Sequence, residues 1–205
     1  MEMVLLGEAS VGQRILICSK QKSNEMKNVI LKYGLLAGLV QVVVGNSLMA
    51  ILFRDMEPNI RLAEVLGYAT MIVALSFIFF GIRAYRDQHE GGTITFGKAV
   101  KVGILITLVA SALYVIGWII FYHLGSGREI MDGYLAQSIE DIRNSGQPAA
   151  VIDQEINNME GFMEMYEKPI VMIGMTFLEI FPVGLIISLI AAALLRKKPD
   201  LAVNN

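Results

Sequence analysis

Four long apolar stretches constrain this chain more than any other feature of its sequence. They cover residues 29–53, 65–82, 100–122 and 169–195. A helix that crosses a bilayer needs ~20 mostly apolar residues, because each residue advances it by ~1.5 Å through a hydrocarbon core of ~30 Å. All four stretches reach that length, the second only just. They predict an all-α polytopic membrane protein with four transmembrane helices and no room for a separate soluble domain.

The distribution of Lys and Arg predicts which side of the membrane each loop faces. Short loops rich in Lys and Arg remain in the cytoplasm. With the N-terminus inside, nine basic residues fall on the cytoplasmic side and five on the outer side. We therefore expect both termini to be cytoplasmic, with residues 199–205 as a short cytoplasmic tail.

Residues 1–25 differ in composition from everything that follows them. They carry scattered charges around a short apolar run, which lacks the length of a signal-peptide core. Because Met26-Lys27 directly precedes the first apolar stretch, we expect the membrane domain to cover residues 26–198. The first 25 residues are then either a mis-called extension or a disordered tail.

The loop between the third and fourth apolar stretches is the only sizeable soluble part. Apolar residues recur at helical spacing on either side of the breaker Asn-Ser-Gly-Gln-Pro at 144–148. The pattern predicts two amphipathic helices that form an extracytoplasmic hairpin over about 128–167. They are free to pack on each other, lie on the bilayer surface or dock a partner.

Glu179 is the most informative single residue, since an ionisable side chain at membrane depth costs at least ~2.5 kcal/mol. It lies near the middle of the fourth stretch, three residues before Pro182. Proline removes a backbone donor and leaves the carbonyl of Leu178 without its usual partner. A kinked helix with a free carbonyl beside a carboxyl group is a candidate proton or cation site. The competing interpretation is a protonated Glu179 that only holds the bundle together.

Other polar residues fall at membrane depth or at its surface. Those at depth are candidates for hydrogen bonds to Glu179, namely Gln41, Asn46, Ser76, Thr107 and Ser111. Those at the cytoplasmic surface are basic and are expected to meet anionic lipid headgroups, namely Arg83, Arg86, Lys98 and Lys101. Tyr114, Trp118 and Tyr122 are predicted to be aromatic anchors at the outer interface.

No catalytic constellation is visible in the sequence. A single cysteine and two histidines leave no pattern for a disulfide, a metal or a haem site, so no cofactor and no metal are predicted. Nothing indicates nucleic-acid binding, and the expected partners are the lipid bilayer and either a second copy or another membrane protein.

Two segments together resemble a bacterial membrane-protein family known as domain of unknown function 4199. They are residues 62–103 and the stretch TFLEIFPVGLIISLIAAALLRKK at 176–198. The positions that carry the resemblance are 64–68, Tyr85-Arg86-Asp87, Thr95-Phe96, Glu179 and Pro182. The resemblance covers about 26–198 and implies a four-helix protein of the inner membrane. It implies no activity.

Three functions remain open at this point. The first is a non-enzymatic assembly or accessory protein, the second an oligomeric proton- or cation-coupled transporter that uses Glu179. The third is a lipid-modifying enzyme, for which only the group Arg83, Arg86, Asp87 and His89 offers polar chemistry at one membrane face.

Overall fold

The architecture is helical throughout the part of the chain that the structure describes, residues 2–53 and 60–197 of a computed structural model. Eight α-helices follow in order: α1 (Glu2–Val40), α2 (Asn46–Leu52), α3 (Ile60–Leu75), α4 (Phe77–His89), α5 (Phe96–Leu124), α6 (Gly127–Arg143), α7 (Ala149–Tyr166) and α8 (Pro169–Leu195). They include four candidate membrane spans, Lys20–Leu52, Arg61–His89, Phe96–Leu124 and Pro169–Leu195. The predicted four-span helical architecture is confirmed. The predicted tight turn around Pro58 and the tail 199–205 lie outside the described residues.

The first span departs from the sequence-based expectation at both ends. Helix α1 begins at Glu2, so residues 2–25 are helical where a disordered tail had been one of the two expectations. Further along, a π-helical turn, Gln41–Gly45, interrupts the α-helix before α2 begins. Single π-helical turns inside α-helices are rare and occur often at functional sites.

The second span is two helices rather than one. Helices α3 and α4 meet at Ser76, whose Oγ donates a hydrogen bond of 2.6 Å to the carbonyl of Val73. A serine hydroxyl that bonds back to its own helix competes with the backbone ladder and bends it. The span covers Arg61–His89 and so extends beyond the predicted 65–82 at both ends.

Helix α5 forms the centre of the bundle and packs against α1 on one side and α8 on the other. Glycines allow both approaches. A Cβ at Gly34 would lie 2.6 Å from Cβ of Val109, and one at Gly184 would lie 2.3 Å from Cγ2 of Thr107. Beside Gly184, the hydroxyls of Thr107 and Ser188 are 3.2 Å apart and fully buried. The small residues that the sequence places four apart on α1 and α8 thus serve packing within one chain.

Helices α6 and α7 form the predicted hairpin, which is confirmed. Only two residues connect α5 to α6, Gly125 and Ser126, and only two connect α7 to α8, Glu167 and Lys168. Arg128 Nη2 donates to Glu167 Oε1 at 2.7 Å and so ties the two connections together. We call this end of the bundle the hairpin end, and the opposite end, which carries the α4–α5 loop, the Glu90 end.

Candidate functional site

Glu179 lines a cavity at the hairpin half of the bundle. The cavity has a volume of about 230 Å³ and an adjoining one of about 40 Å³, and Glu179, Tyr114, Trp118 and Met49 line both. Helix α8 has 27 residues, and Glu179 is three residues from its centre, which corresponds to about 5 Å along the axis. The carboxyl group is therefore at membrane depth and accessible from a space large enough for a small ligand.

The smaller cavity brings together three of the polar residues predicted at membrane depth. Gln41, the first residue of the π-helical turn, and Asn46, which follows the turn, line it with Glu179. Gln41 is 4% exposed, and its Oε1 has no hydrogen-bond partner within the described part of the chain. Its amide packs over Gly45, since a Cβ there would lie 3.3 Å from Nε2. A buried acceptor without a partner costs ~1–3 kcal/mol, so this amide is an open position for a ligand or a proton donor.

Aromatic side chains form much of the wall of the larger cavity, and they come from three helices, α5, α6 and α7, and from the end of α2. They are Phe53, Tyr114, Trp118, Tyr134 and Tyr166. Trp118 Nε1 donates a hydrogen bond of 2.7 Å to the hydroxyl of Tyr166, which joins α5 to the end of α7. Burial raises the pKa of Tyr166, so this hydroxyl remains neutral. Tyr114 lines both cavities together with Glu179.

The other predicted residues of this site are not brought to Glu179. Thr107 donates to the carbonyl of Gly103 at 3.0 Å and pairs with Ser188 in the α5–α8 contact. Ser111 is buried without a partner for its hydroxyl in the described structure, and Ser76 bonds to its own helix. Helix α8 continues across Pro182, which is exposed and lines neither cavity. The site therefore consists of Glu179, Gln41 and Asn46 together with aromatic residues.

The basic residues predicted to meet lipid headgroups lie at the Glu90 end, and most have carboxylate partners. Lys98 Nζ is 2.8 Å from Glu90 Oε1, and Arg86 Nε is 2.7 Å from Asp87 Oδ1. Arg83 is 3.6 Å from Asp87. Lys101 is exposed. In the same region His89 Nδ1 lies 3.2 Å from Glu25 Oε2, so the polar group considered for lipid chemistry consists of the ion pairs of Asp87 with Arg83 and Arg86 and a histidine in contact with a carboxyl group.

Glu90 is the centre of this arrangement. Its Oε1 contacts Lys98, Lys22 at 3.0 Å and the hydroxyl of Tyr85 at 2.9 Å. Burial by itself would raise the pKa of Glu90, but the hydrogen bonds from Lys98, Lys22 and Tyr85 together outweigh it and lower the pKa below its ordinary 4.5. The carboxylate thus connects α1, α4 and α5 at one point.

Replacing Glu90 by glutamine is expected to destabilise the protein by about 1–2 kcal/mol, because charged hydrogen bonds are lost while two lysines keep their charge. Since the pKa is lower in the folded protein, the contribution of the carboxylate is present above its ordinary pKa of 4.5 and is lost as the pH falls below 4.5 and through the lower pKa of the folded protein. The measurement is thermal unfolding in mild detergent at about four pH values between 3.5 and 7. Asp87→Asn is the control, since its ion pairs are exposed and contribute little. Equal losses in the two variants would contradict the central role of Glu90.

The aromatic wall is the part of the site that the sequence analysis missed. Tyr114 and Trp118 had been assigned to the interface, and Tyr166 lies 48 residues from Trp118. The four-residue spacing of Tyr114 and Trp118 places both on one helix face, at a depth similar to that of Glu179. This spacing was the one feature of the sequence that could have indicated the aromatic wall. No group of three or more His, Cys, Asp or Glu side chains within residues 2–53 and 60–197 is arranged to hold a metal ion.

Four candidate spans, an all-helical bundle and a polar site at membrane depth define the class: a multi-pass membrane protein. Within that class, the chain belongs to the family described as protein of unknown function (DUF4199), whose model matches residues 32–197. The resemblance found in the sequence is thereby confirmed. No curated protein and no solved structure matches the chain.

Proposed function

We propose that this protein is a non-enzymatic carrier of the bacterial inner membrane that exchanges a cation for a proton at Glu179, with both termini in the cytoplasm. Of the functions that the sequence left open, the geometry best supports this one. The single observation that carries it is the cavity that Glu179 and Gln41 both line, because the buried Oε1 of Gln41 has no hydrogen-bond partner within the described residues.

The chemistry follows from the cost of charge at membrane depth. A carboxylate there needs neutralisation, either by a proton or by a cation. One bound cation displaces one proton, so the net charge of the site is the same before and after the exchange. Three tyrosines line the larger cavity together with Glu179: Tyr114 on α5, Tyr134 on α6 and Tyr166 on α7. Among the described residues that line either cavity there is no Lys, Arg or His. Nothing on the wall therefore competes with a cation for the carboxylate.

Four helices rarely enclose a complete pathway, and a second copy of the chain is part of this proposal. The lipid-facing surfaces of α1, α3 and α8 carry large exposed apolar side chains such as Leu35, Val73 and Leu178. Those surfaces suit either lipid or a second protomer.

The test is flux in proteoliposomes loaded with a pH-sensitive dye, with Glu179→Gln beside the wild type. Adding Na⁺, K⁺ or a small organic ammonium outside is expected to release protons from wild-type vesicles. Glu179→Gln preserves the shape and removes the titrating group, so the rate should fall at least about tenfold. Glu64→Gln is the matched control, because Glu64 is a glutamate of another span that lines neither cavity. Equal flux in Glu179→Gln and wild type for every cation would refute the proposal.

An accessory role is the second candidate, and one observation favours it. Helix α7 exposes Val151, Phe162 and Met165, three apolar side chains on the hairpin. A partner that binds there would copurify from membranes in mild detergent and would be lost when Phe162 and Met165 are both changed to serine.

A further inference from the structure

We infer that the cation bound in the Glu179 cavity is a compact organic ammonium with an aromatic or apolar substituent. This inference rests on the proposed function and names the ligand class for the same site. It is carried by the charge, the wall and the size of the cavity.

The charge of the residues that line the cavity determines that the ligand is a cation. Glu179 is the only Asp, Glu, Lys, Arg or His among the described residues that line the larger cavity. A single carboxylate without a basic neighbour attracts cations and repels anions. Anionic and zwitterionic solutes that need a basic partner are therefore excluded from this space.

The wall selects an organic cation over an inorganic one. Phe53, Tyr114, Trp118, Tyr134 and Tyr166 line the larger cavity. Inorganic cations require several oxygen ligands, whereas ammonium groups with carbon substituents bind to the faces of aromatic rings, tryptophan best of all. A cavity lined by one carboxylate and five aromatic side chains matches the second kind of ligand.

The aromatic wall is held in place before any ligand binds. The indole of Trp118 is fixed to Tyr166 by its 2.7 Å hydrogen bond. The ring of Tyr166 in turn packs edge-on against Tyr122, with centroids 6.3 Å apart, and against Phe162 at 6.2 Å. Rings that are already ordered lose little entropy on binding, which favours affinity.

The volume sets the size of the ligand. The larger cavity measures about 230 Å³, which corresponds to roughly eight water molecules at ~30 Å³ each. An ammonium of about ten non-hydrogen atoms fits, whereas a cation with four phenyl rings does not. Benzyltrimethylammonium is therefore the appropriate probe, and tetraphenylphosphonium is the oversized control.

The experiment uses the fluorescence of Trp118, which is the only tryptophan of the chain and lines the cavity. Benzyltrimethylammonium is titrated into the purified full-length protein in mild detergent, beside neopentylbenzene, its uncharged counterpart of the same shape. We expect a saturable fluorescence change with the ammonium alone and none with tetraphenylphosphonium. Binding should weaken about tenfold in Glu179→Gln and remain unchanged in Glu64→Gln. In Trp118→Leu, calorimetry should find binding weakened about fivefold or more.

Each outcome has a defined meaning, provided that the variants elute and unfold as the wild type does. The inference would be overturned if neopentylbenzene bound as tightly as benzyltrimethylammonium. It would also be overturned if benzyltrimethylammonium bound equally to the wild type and to Glu179→Gln. Glu179-dependent proton release with Na⁺ or K⁺ but no ammonium binding would overturn it while leaving the exchange function intact. Flux that is independent of Glu179 for all cations would remove the proposed function, while Glu179-dependent ammonium binding would still support the ligand class.

Discussion

Replacing Gly184 by valine is expected to destabilise the protein by about 2–4 kcal/mol, the largest effect of any single substitution considered for this bundle. Even a single added carbon would lie 2.3 Å from Cγ2 of Thr107 and 2.9 Å from its Oγ1. Thr107 has no freedom to move away, since it donates to the carbonyl of Gly103 and pairs with Ser188. Helices α5 and α8 must separate, and the buried hydroxyl pair is then lost.

The measurement is unfolding by SDS titration of protein in mixed micelles. Gly174→Val is the matched control, because Gly174 is on the same helix and a Cβ there would meet nothing within 4 Å. It carries the same change in helix propensity at a position with space. If both valine variants lose stability equally, the cause is helix propensity rather than the α5–α8 contact.

Replacing Gln41 by leucine is expected to have opposite effects on stability and on binding. The carbonyl oxygen of Gln41 is buried without a partner in the described part of the chain. Burying an acceptor without a partner is unfavourable. Leucine has a similar size and no such acceptor, so the substitution should stabilise the protein by about 1 kcal/mol. Gln41 lines the smaller cavity, which adjoins the ligand's cavity at Glu179, so losing a contribution of its amide to binding beside Glu179 should lower the affinity for benzyltrimethylammonium by about fivefold to tenfold.

Gln137 supplies the control for this prediction. Its Oε1 is also buried without a partner among the described residues, but Gln137 is on α6 and lines neither cavity. Gln137→Leu should therefore leave ligand binding unchanged. A Gln41→Leu protein that is less stable and binds normally would mean that the amide has a structural role.

The sequence was sufficient for those parts of the fold that depend on local patterns. Apolar length alone located the four spans, and helical spacing around 144–148 located the α6–α7 hairpin, because both signals lie within a few turns of chain. The depth of Glu179 followed from its position within the fourth stretch. These predictions needed no information about which helices are neighbours.

The site itself depended on contacts between distant parts of the chain. Aromatic residues near a membrane surface have the same sequence pattern whether they anchor the interface or line a cavity, and only the contact of Trp118 with Tyr166 distinguishes the two. The π-helical turn at Gln41–Gly45 left no periodic signal, since one additional residue in a turn changes little in an apolar run. Thr107 packs against Gly184 and Ser188, which lie further along α8 than Glu179 does, and the sequence alone does not indicate this difference in depth.

The two-residue connections of the hairpin have a mechanical consequence. Gly125 and Ser126 on one side and Glu167 and Lys168 on the other are too short to absorb a displacement. Any tilt of α6 and α7 must therefore pull on the adjoining ends of α5 and α8, the helices that carry Trp118 and Glu179. An antibody fragment that binds the hairpin and tilts it would therefore displace Trp118 and Glu179, on two walls of the cavity, without entering the bundle.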